Sequence, residues 1–171
     1  MNNDFVSGTK GMLPKHEYYN KYYGRTSWNS STIISMAIGQ GELLLTPIQM
    51  ANISAIIANR GFYFTPHIVK SVEGNEKIDT TCLEKKYTTI NPKHFDVIIE
   101  GMEKVIKKSD GTANNIKSNS ISICGKTGTA QNPHGEDHSI FIAFAPKENP
   151  EIAIAVYLSL IHISEPTRLL A

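Results

Sequence analysis

The tetrapeptide Lys126-Thr127-Gly128-Thr129 puts one ammonium and two hydroxyls on consecutive stretches of main chain. An ammonium attracts a carboxylate, and hydroxyls can donate to its oxygens. The preceding residues, Ile121-Ser122-Ile123-Cys124-Gly125, read as a strand that runs into the tetrapeptide. A strand with so little side-chain bulk can accept an extended peptide along its edge. Gly128 would let main chain approach a ligand closely. The pattern points to recognition of a peptide that ends in a carboxylate. Strand geometry raises one obstacle: strict alternation sends Lys126 to the face opposite Thr127 and Thr129. Convergence of the three groups requires a twisted edge strand at the rim of a cleft. A solvated edge strand would also carry such a tetrapeptide by chance, so its context has to decide.

Other chemistry-bearing residues make weaker patterns. His134-Gly135-Glu136-Asp137-His138 concentrates four metal-ligand types, but the spacing is not that of a metal-binding helix, and Pro133 and Gly135 favour a polar hairpin loop. No metal is expected. His138 could still order the strand that follows, with Asp137 beside it. Tyr18, Tyr19, Tyr22 and Tyr23 lie close to Lys21 and Arg25. Such a cluster can stack on bases or sit at a membrane surface. A surface loop packed by its own rings is the simpler expectation. Cys82 and Cys124 form neither a disulfide framework nor a metal knuckle. Cys124 precedes Lys126 by two positions and is expected to be a small buried hydrophobe.

The elements that must hold these residues follow from composition and period. The 171 residues are 40% hydrophobic and 19% charged, which is globular composition and one domain's worth of chain. Seventeen Lys+Arg against sixteen Asp+Glu leave a net charge of +1, which argues against a dedicated nucleic-acid binder. No apolar run is long enough to cross a bilayer, and no signal peptide is visible. Met1 to about Ser31 reads as irregular. A helix is expected from the Thr46 cap and Pro47 to Asn59-Arg60-Gly61, with Gly61 taking the left-handed position and most sides buried. Phe62–Thr65 and His67–Val72 read as short strands around Pro66, and Glu73–Lys86 as a surface hairpin loop. Asn91 and Pro92 open an amphipathic helix. Its apolar residues Phe95, Ile98, Ile99, Met102, Val105 and Ile106 recur at helical spacing. Ser139–Ala145 and Ile152–Leu158 complete a three-stranded antiparallel meander with the tetrapeptide strand. The expected class is α+β, an antiparallel sheet with packed helices.

Context then sharpens the reading. Gly39-Gln40-Gly41 followed by Thr46-Pro47-Ile48-Gln49 resembles the Gly-Gln-Gly…Thr-Pro-x-Gln segment of class B penicillin-binding proteins. Asn59-Arg60-Gly61, Pro66-His67-Ile68, Gly111-Thr112-Ala113, Gly125–Gln131, Asp137-His138, Phe144-Ala145-Pro146 and Asn149-Pro150 continue the match in order. Lys-Thr-Gly is itself a motif of that fold. The resemblance runs from about Phe5 to Leu158 and is greatest to the elongation-type D,D-transpeptidases.

The resemblance implies that residues 1–158 are the C-terminal part of a penicillin-binding/β-lactamase-like transpeptidase domain. It implies acyl transfer by an active serine, with stem peptides of peptidoglycan as substrate and β-lactams as mimics. Lys126 would tune electrostatics and help proton transfer. The Thr127 and Thr129 hydroxyls would grip the substrate carboxylate beside Gly128, and the Thr129 N–H would supply one oxyanion donor. No metal or organic cofactor is implied. The complete protein would be anchored in the inner membrane, face the periplasm and work with the cell-elongation machinery.

The departures are as informative. Ser7-Gly8-Thr9-Lys10 and Ser27-Trp28-Asn29 formally match the family's Ser-x-x-Lys and Ser-x-Asn motifs. Both are read as decoys. Ser7 sits among loop residues, and the segment Ser7–Pro14 resembles a loop that follows both motifs in the family. The chain is therefore expected to be a fragment without its nucleophile. Ser159–Ala171 departs from the family, resembles a translated sequencing adapter and is expected to be a non-native tail. Three other readings remain: a β-lactamase or β-lactam sensor, a septal paralogue, and a non-catalytic peptide-binding or scaffold module.

Overall fold

The stripe formed by Phe95, Ile99, Met102 and Ile106 winds into the helix that anchors the core. In the computed structural model, which describes residues 10–68, 80–132 and 135–159, nine helices and strands are numbered along the chain. They are α1 (His16–Tyr23), α2 (Ser30–Ala37), α3 (Pro47–Ala58), β1 (Phe62–Tyr63), β2 (Lys86–Tyr87), α4 (Lys93–Lys107), β3 (Cys124–Ala130), β4 (His138–Ala145) and β5 (Ile152–Leu158). Short 3-10 turns lie at Thr80–Leu83 and Asn114–Ile116. The chain folds as two units. The class is α+β, as expected, with β3, β4 and β5 neighbours in that order in an antiparallel sheet.

The first unit contains Pro47–Thr127 and Phe141–Val156. Its core joins Ala58 of α3, Phe95, Ile99 and Met102 of α4, Cys124 of β3 and Phe144 of β4. Each large apolar side chain buried there contributes about 1.5–3 kcal/mol. Asn91 caps α4 by accepting the Lys93 N–H at 3.1 Å. Ile98, assigned to the buried stripe from its spacing, is half exposed at 50%. Gly125 is demanded by packing: a Cβ at that position would lie 2.6 Å from the Phe141 ring.

Helix α3 starts and stops where the sequence indicates, but two expectations change. Ile48 and Ile53 are exposed, so the helix is not buried on most sides. The left-handed residue at its end is Arg60, with φ 54°, and Gly61 follows at φ 109°. The Gly61 N–H reaches Ile56 O and the Arg60 N–H reaches Ile57 O, a Schellman closure that places Arg60, not Gly61, at C′. Strand β1 is only Phe62–Tyr63 and pairs antiparallel with β2, Phe62 opposite Tyr87. The expected strand His67–Val72 and loop Glu73–Lys86 fall largely outside the described residues. Lys86 belongs to β2 rather than to a loop. Ile121–Ile123 lead into β3 without being strand.

The second unit contains Thr9–Thr46 and Gly128–Ile140. The stretch expected to be irregular, up to about Ser31, holds α1 and the first residues of α2. In α1, Tyr18 stacks on Tyr22 at 4.6 Å and Tyr19 lies 6.1 Å from Tyr23, the i,i+4 contacts of a helix face. Tyr19 is buried and packs on Trp28. The tyrosine cluster is thus a helix and not a loop. Asn29 caps α2, accepting from the Ser31 N–H at 2.9 Å. Met12 and Leu44 exchange main-chain hydrogen bonds in an isolated antiparallel bridge.

Candidate active site

Strand β3 leaves the core as it runs. Cys124 and Gly125 are buried, Lys126 is exposed, Thr127 is half-buried, and Gly128 and Thr129 are exposed. The tetrapeptide therefore lies on a strand at the surface, at one edge of a sheet ordered β3-β4-β5. Residues two apart on a strand point their carbonyls to the same side. Thr127 O and Thr129 O both accept from side chains, Lys126 Nζ at 2.7 Å and Gln40 Nε2 at 3.0 Å respectively. Side-chain donors thus reach both carbonyls, and among the described residues β3 has a strand neighbour on one side only.

The lysine side chain is long enough to round the strand. Its stem starts on the face away from Thr127, yet the ammonium curls onto the Thr127 carbonyl and so reaches the edge. Thr127 Oγ1 lies 2.9 Å from Thr112 Oγ1. In such a pair one hydroxyl donates to the other, and the second hydrogen is left to donate outward. Thr112 comes from the turn after α4, where the Ala113 N–H bonds Val105 O at 3.1 Å. Gly111 fits that turn because a Cβ would lie 2.3 Å from Val105 O. At Gly128 the nearest atom to an added Cβ is Ile140 Cβ at 3.6 Å, an ordinary contact. Among the described residues nothing excludes a side chain there.

Two residues were missed by sequence reasoning as site partners, Thr112 and Gln40. Both lie in segments that carried the family resemblance, Gly111-Thr112-Ala113 and Gly39-Gln40-Gly41. That was the available signal. Beside Gln40, the Glu42 carboxylate accepts from Tyr23 Oη at 2.5 Å and Tyr19 Oη at 3.0 Å. The Tyr23 hydrogen bond is the main cause that holds the Glu42 carboxyl below its usual range. The same bond raises the Tyr23 phenol, while Tyr19 is raised first by burial and then by Glu42.

The remaining candidates have structural places. Cys124 is fully buried, and desolvation pushes its thiol up to about 11. It shares strand parity with Lys126 but not its surroundings. Asp137 accepts from the Asn132 N–H at 3.1 Å and so closes the turn between β3 and β4. His138 packs on Tyr157, ring centres 5.2 Å apart. His134 and Ser7 lie outside the described residues. No group of three or more metal-ligand side chains occurs among the described residues. Cavities of about 310 Å³ lie between α4 and Lys117–Ile123 and beside α3 and Thr65–His67, and the tetrapeptide lines neither.

Comparison with known proteins gives this edge strand a family. The penicillin binding protein transpeptidase domain matches residues 5–164. The chain belongs to the penicillin-binding protein transpeptidase family. It is 32% identical over 170 residues to the peptidoglycan D,D-transpeptidase MrdA of Acinetobacter baumannii, covering 90% of this chain and 25% of that protein. Among solved structures it resembles Pseudomonas aeruginosa PBP2 in complex with WCK 5153, with 32% identity and a TM-score of 0.78. That match covers 90% of this chain and 34% of the other. A complex between PBP2 and MreC from Helicobacter pylori matches at 27% identity and a TM-score of 0.73, covering 90% and 28%. This penicillin-binding protein chain thus spans about a quarter of the length of the curated relatives it matches. Its described helices are all too short or too polar to cross a membrane.

Proposed function

We propose that this chain carries the substrate-carboxylate subsite of a peptidoglycan D,D-transpeptidase. One observation carries the reading: an exposed edge strand bears the Lys126 ammonium, bonded to the Thr127 carbonyl, and the Thr127 hydroxyl, coupled to Thr112 of the turn after α4. The names of the relatives support the same reaction class. In the complete protein a serine Oγ attacks the carbonyl of the penultimate D-Ala of a stem peptide. The C–N bond to the terminal D-Ala breaks, and that residue leaves as the free amine. An amine of a neighbouring stem then attacks the ester, forms the cross-link and restores the serine.

The residues of this chain act around those atoms. Thr127, Thr129 and Lys126 hold the terminal carboxylate, and the ammonium also tunes proton transfer at the nucleophile. The Thr129 N–H donates to the oxyanion. The vacant Cβ position of Gly128 keeps the strand bare for an extended peptide. β-Lactams, which present a carboxylate beside a reactive amide, acylate the same serine. Domain limits follow the resemblance, with residues 1–158 belonging to the transpeptidase domain and 159–171 a non-native tail. The complete protein is membrane-anchored with its catalytic domain in the periplasm. Its partners lie in the elongation machinery, a reading supported by the MreC complex of the Helicobacter pylori relative.

The 171 residues alone are expected to bind an N-acylated tripeptide ending in D-Ala-D-Ala without being acylated. In a titration of the labelled chain followed by NMR, saturable shifts at Thr127–Thr129 are expected, and Thr127→Val should weaken binding by about tenfold. A peptide ending in a C-terminal amide should not bind. Equal binding of the acid and the amide would overturn the reading. A fluorescent penicillin should leave no covalent label on this chain, and a label would restore Ser7 as a nucleophile.

A further inference from the structure

Thr129 is held from outside its own strand, by Gln40, eighty-nine positions away in sequence. The turn that presents Gln40 is itself fixed at several points. Gly39 and Gly41 adopt φ of 81° and 71°, the left-handed region in which a side chain would be strained. The Gln40 N–H donates to Ser35 O at 3.0 Å and ties the turn to the end of α2. The next residues bring Glu42 under the two phenols of Tyr19 and Tyr23. Gln40 is thus a short reach from an anchored base to a strand edge.

The strand needs such a support. Gly128 keeps the edge bare but leaves the main chain with more freedom than any other residue would. On a strand, the N–H and C=O of one residue point to the same side. Fixing Thr129 O from the edge therefore also fixes the direction of the Thr129 N–H. We propose that Gln40 is a positioning residue: its amide holds Thr129 extended beside Gly128, so that the Thr129 N–H faces the bound peptide. This inference rests on the carboxylate-subsite reading above and adds to it the part that sets its geometry.

The test uses the 171-residue chain labelled with ¹³C and ¹⁵N, with Gln40→Met, which keeps length and loses the donor, and Gln40→Glu. Unchanged shifts at the core residues Ile99 and Phe144 establish that each variant is folded. In Gln40→Met the Thr129 carbonyl resonance should move, and the D-Ala-D-Ala tripeptide should bind about five- to tenfold more weakly. Gln40→Glu should behave like Gln40→Met at neutral pH. It should recover the wild-type carbonyl shift once acid protonates the new carboxyl and restores an O–H donor, a reversal that a merely structural role would not produce. An unmoved Thr129 carbonyl in Gln40→Met overturns the inference whatever the peptide does, and so does a moved carbonyl with undiminished peptide affinity. Failure of the wild-type chain to bind the tripeptide overturns the subsite reading instead, and the substrate role of Gln40 falls with it.

Discussion

Cys124 shows how a residue two positions from the ammonium can be chemically remote from it. Its thiol ordinarily titrates near 9.0 and burial, the largest cause, pushes it up to about 11. Below pH 9 the thiol is neutral in both the folded and unfolded chain. Between about 9 and 11 the unfolded chain ionises and the folded chain does not, so stability is lost as pH rises through that window. The loss attributable to Cys124 should reach on the order of 2 kcal/mol by the top of the window. Urea midpoints of wild type and Cys124→Ala across pH 8 to 11 should converge, because the variant lacks this slope. Parallel curves would show that the thiol is not protected by the core. On the tetrapeptide strand the balance differs: the Lys126 ammonium donates to Thr127 O and the Thr127 hydroxyl pairs with Thr112, with Lys126 exposed and Thr127 half-buried, so these contacts add little to the core.

Elements are joined by fewer, better-protected contacts. Glu103 on α4 accepts from Lys147, which lies in the turn after β4, at 2.7 Å. Both side chains are about three-quarters or more buried, at 19% and 26% exposure. The Lys147 hydrogen bond is the main cause that lowers the Glu103 carboxyl from 4.5, and the same bond raises Lys147. The stabilisation is therefore present above pH 4.5 and disappears as pH falls through the lowered value. Glu103→Gln should lose about 1–2 kcal/mol at neutral pH and flatten the acid limb of the stability curve. Lys107→Ala, which breaks only the exposed pair to Glu103, should change stability by less than about 0.5 kcal/mol. Equal losses in the two variants, measured by denaturant unfolding, would contradict this ranking. Element types were readable where one period dominated, as in α4 and the β-branched runs of β4 and β5. Helices α1 and α2 were not, because tyrosines form the stripe of the first and the second begins with Ser30-Ser31-Thr32, poor helix formers that depend on the Asn29 cap. The tetrapeptide strand was legible from residue types. Its supports, Gln40 and Thr112, were not, since contacts between distant segments leave no local pattern.

At the scale of the whole molecule, the sheet sets a physical problem at the edge opposite the site. Along β5 the small residues Ala153 and Ala155 are half-buried, with Ala153 against the core. The bulky Ile152, Ile154 and Val156 face outward, with 61%, 40% and 51% of their surface exposed. An ordinary half-buried strand places its polar residues outward. Here the outward set is β-branched and apolar, and among the described residues β5 is an edge strand as well. Such a strand combines an exposed apolar row with a sheet edge, the two conditions for association between chains. The 171-residue chain should therefore self-associate as concentration rises, and Ile154→Lys with Val156→Thr should suppress this without loss of fold. Sedimentation velocity over a concentration series reads the association, and circular dichroism reads the fold. A wild-type chain that stays monomeric throughout would show that the row is covered in solution by its own chain. Association persisting undiminished in the double variant would move the contact to the exposed Ile48 and Ile53 of α3.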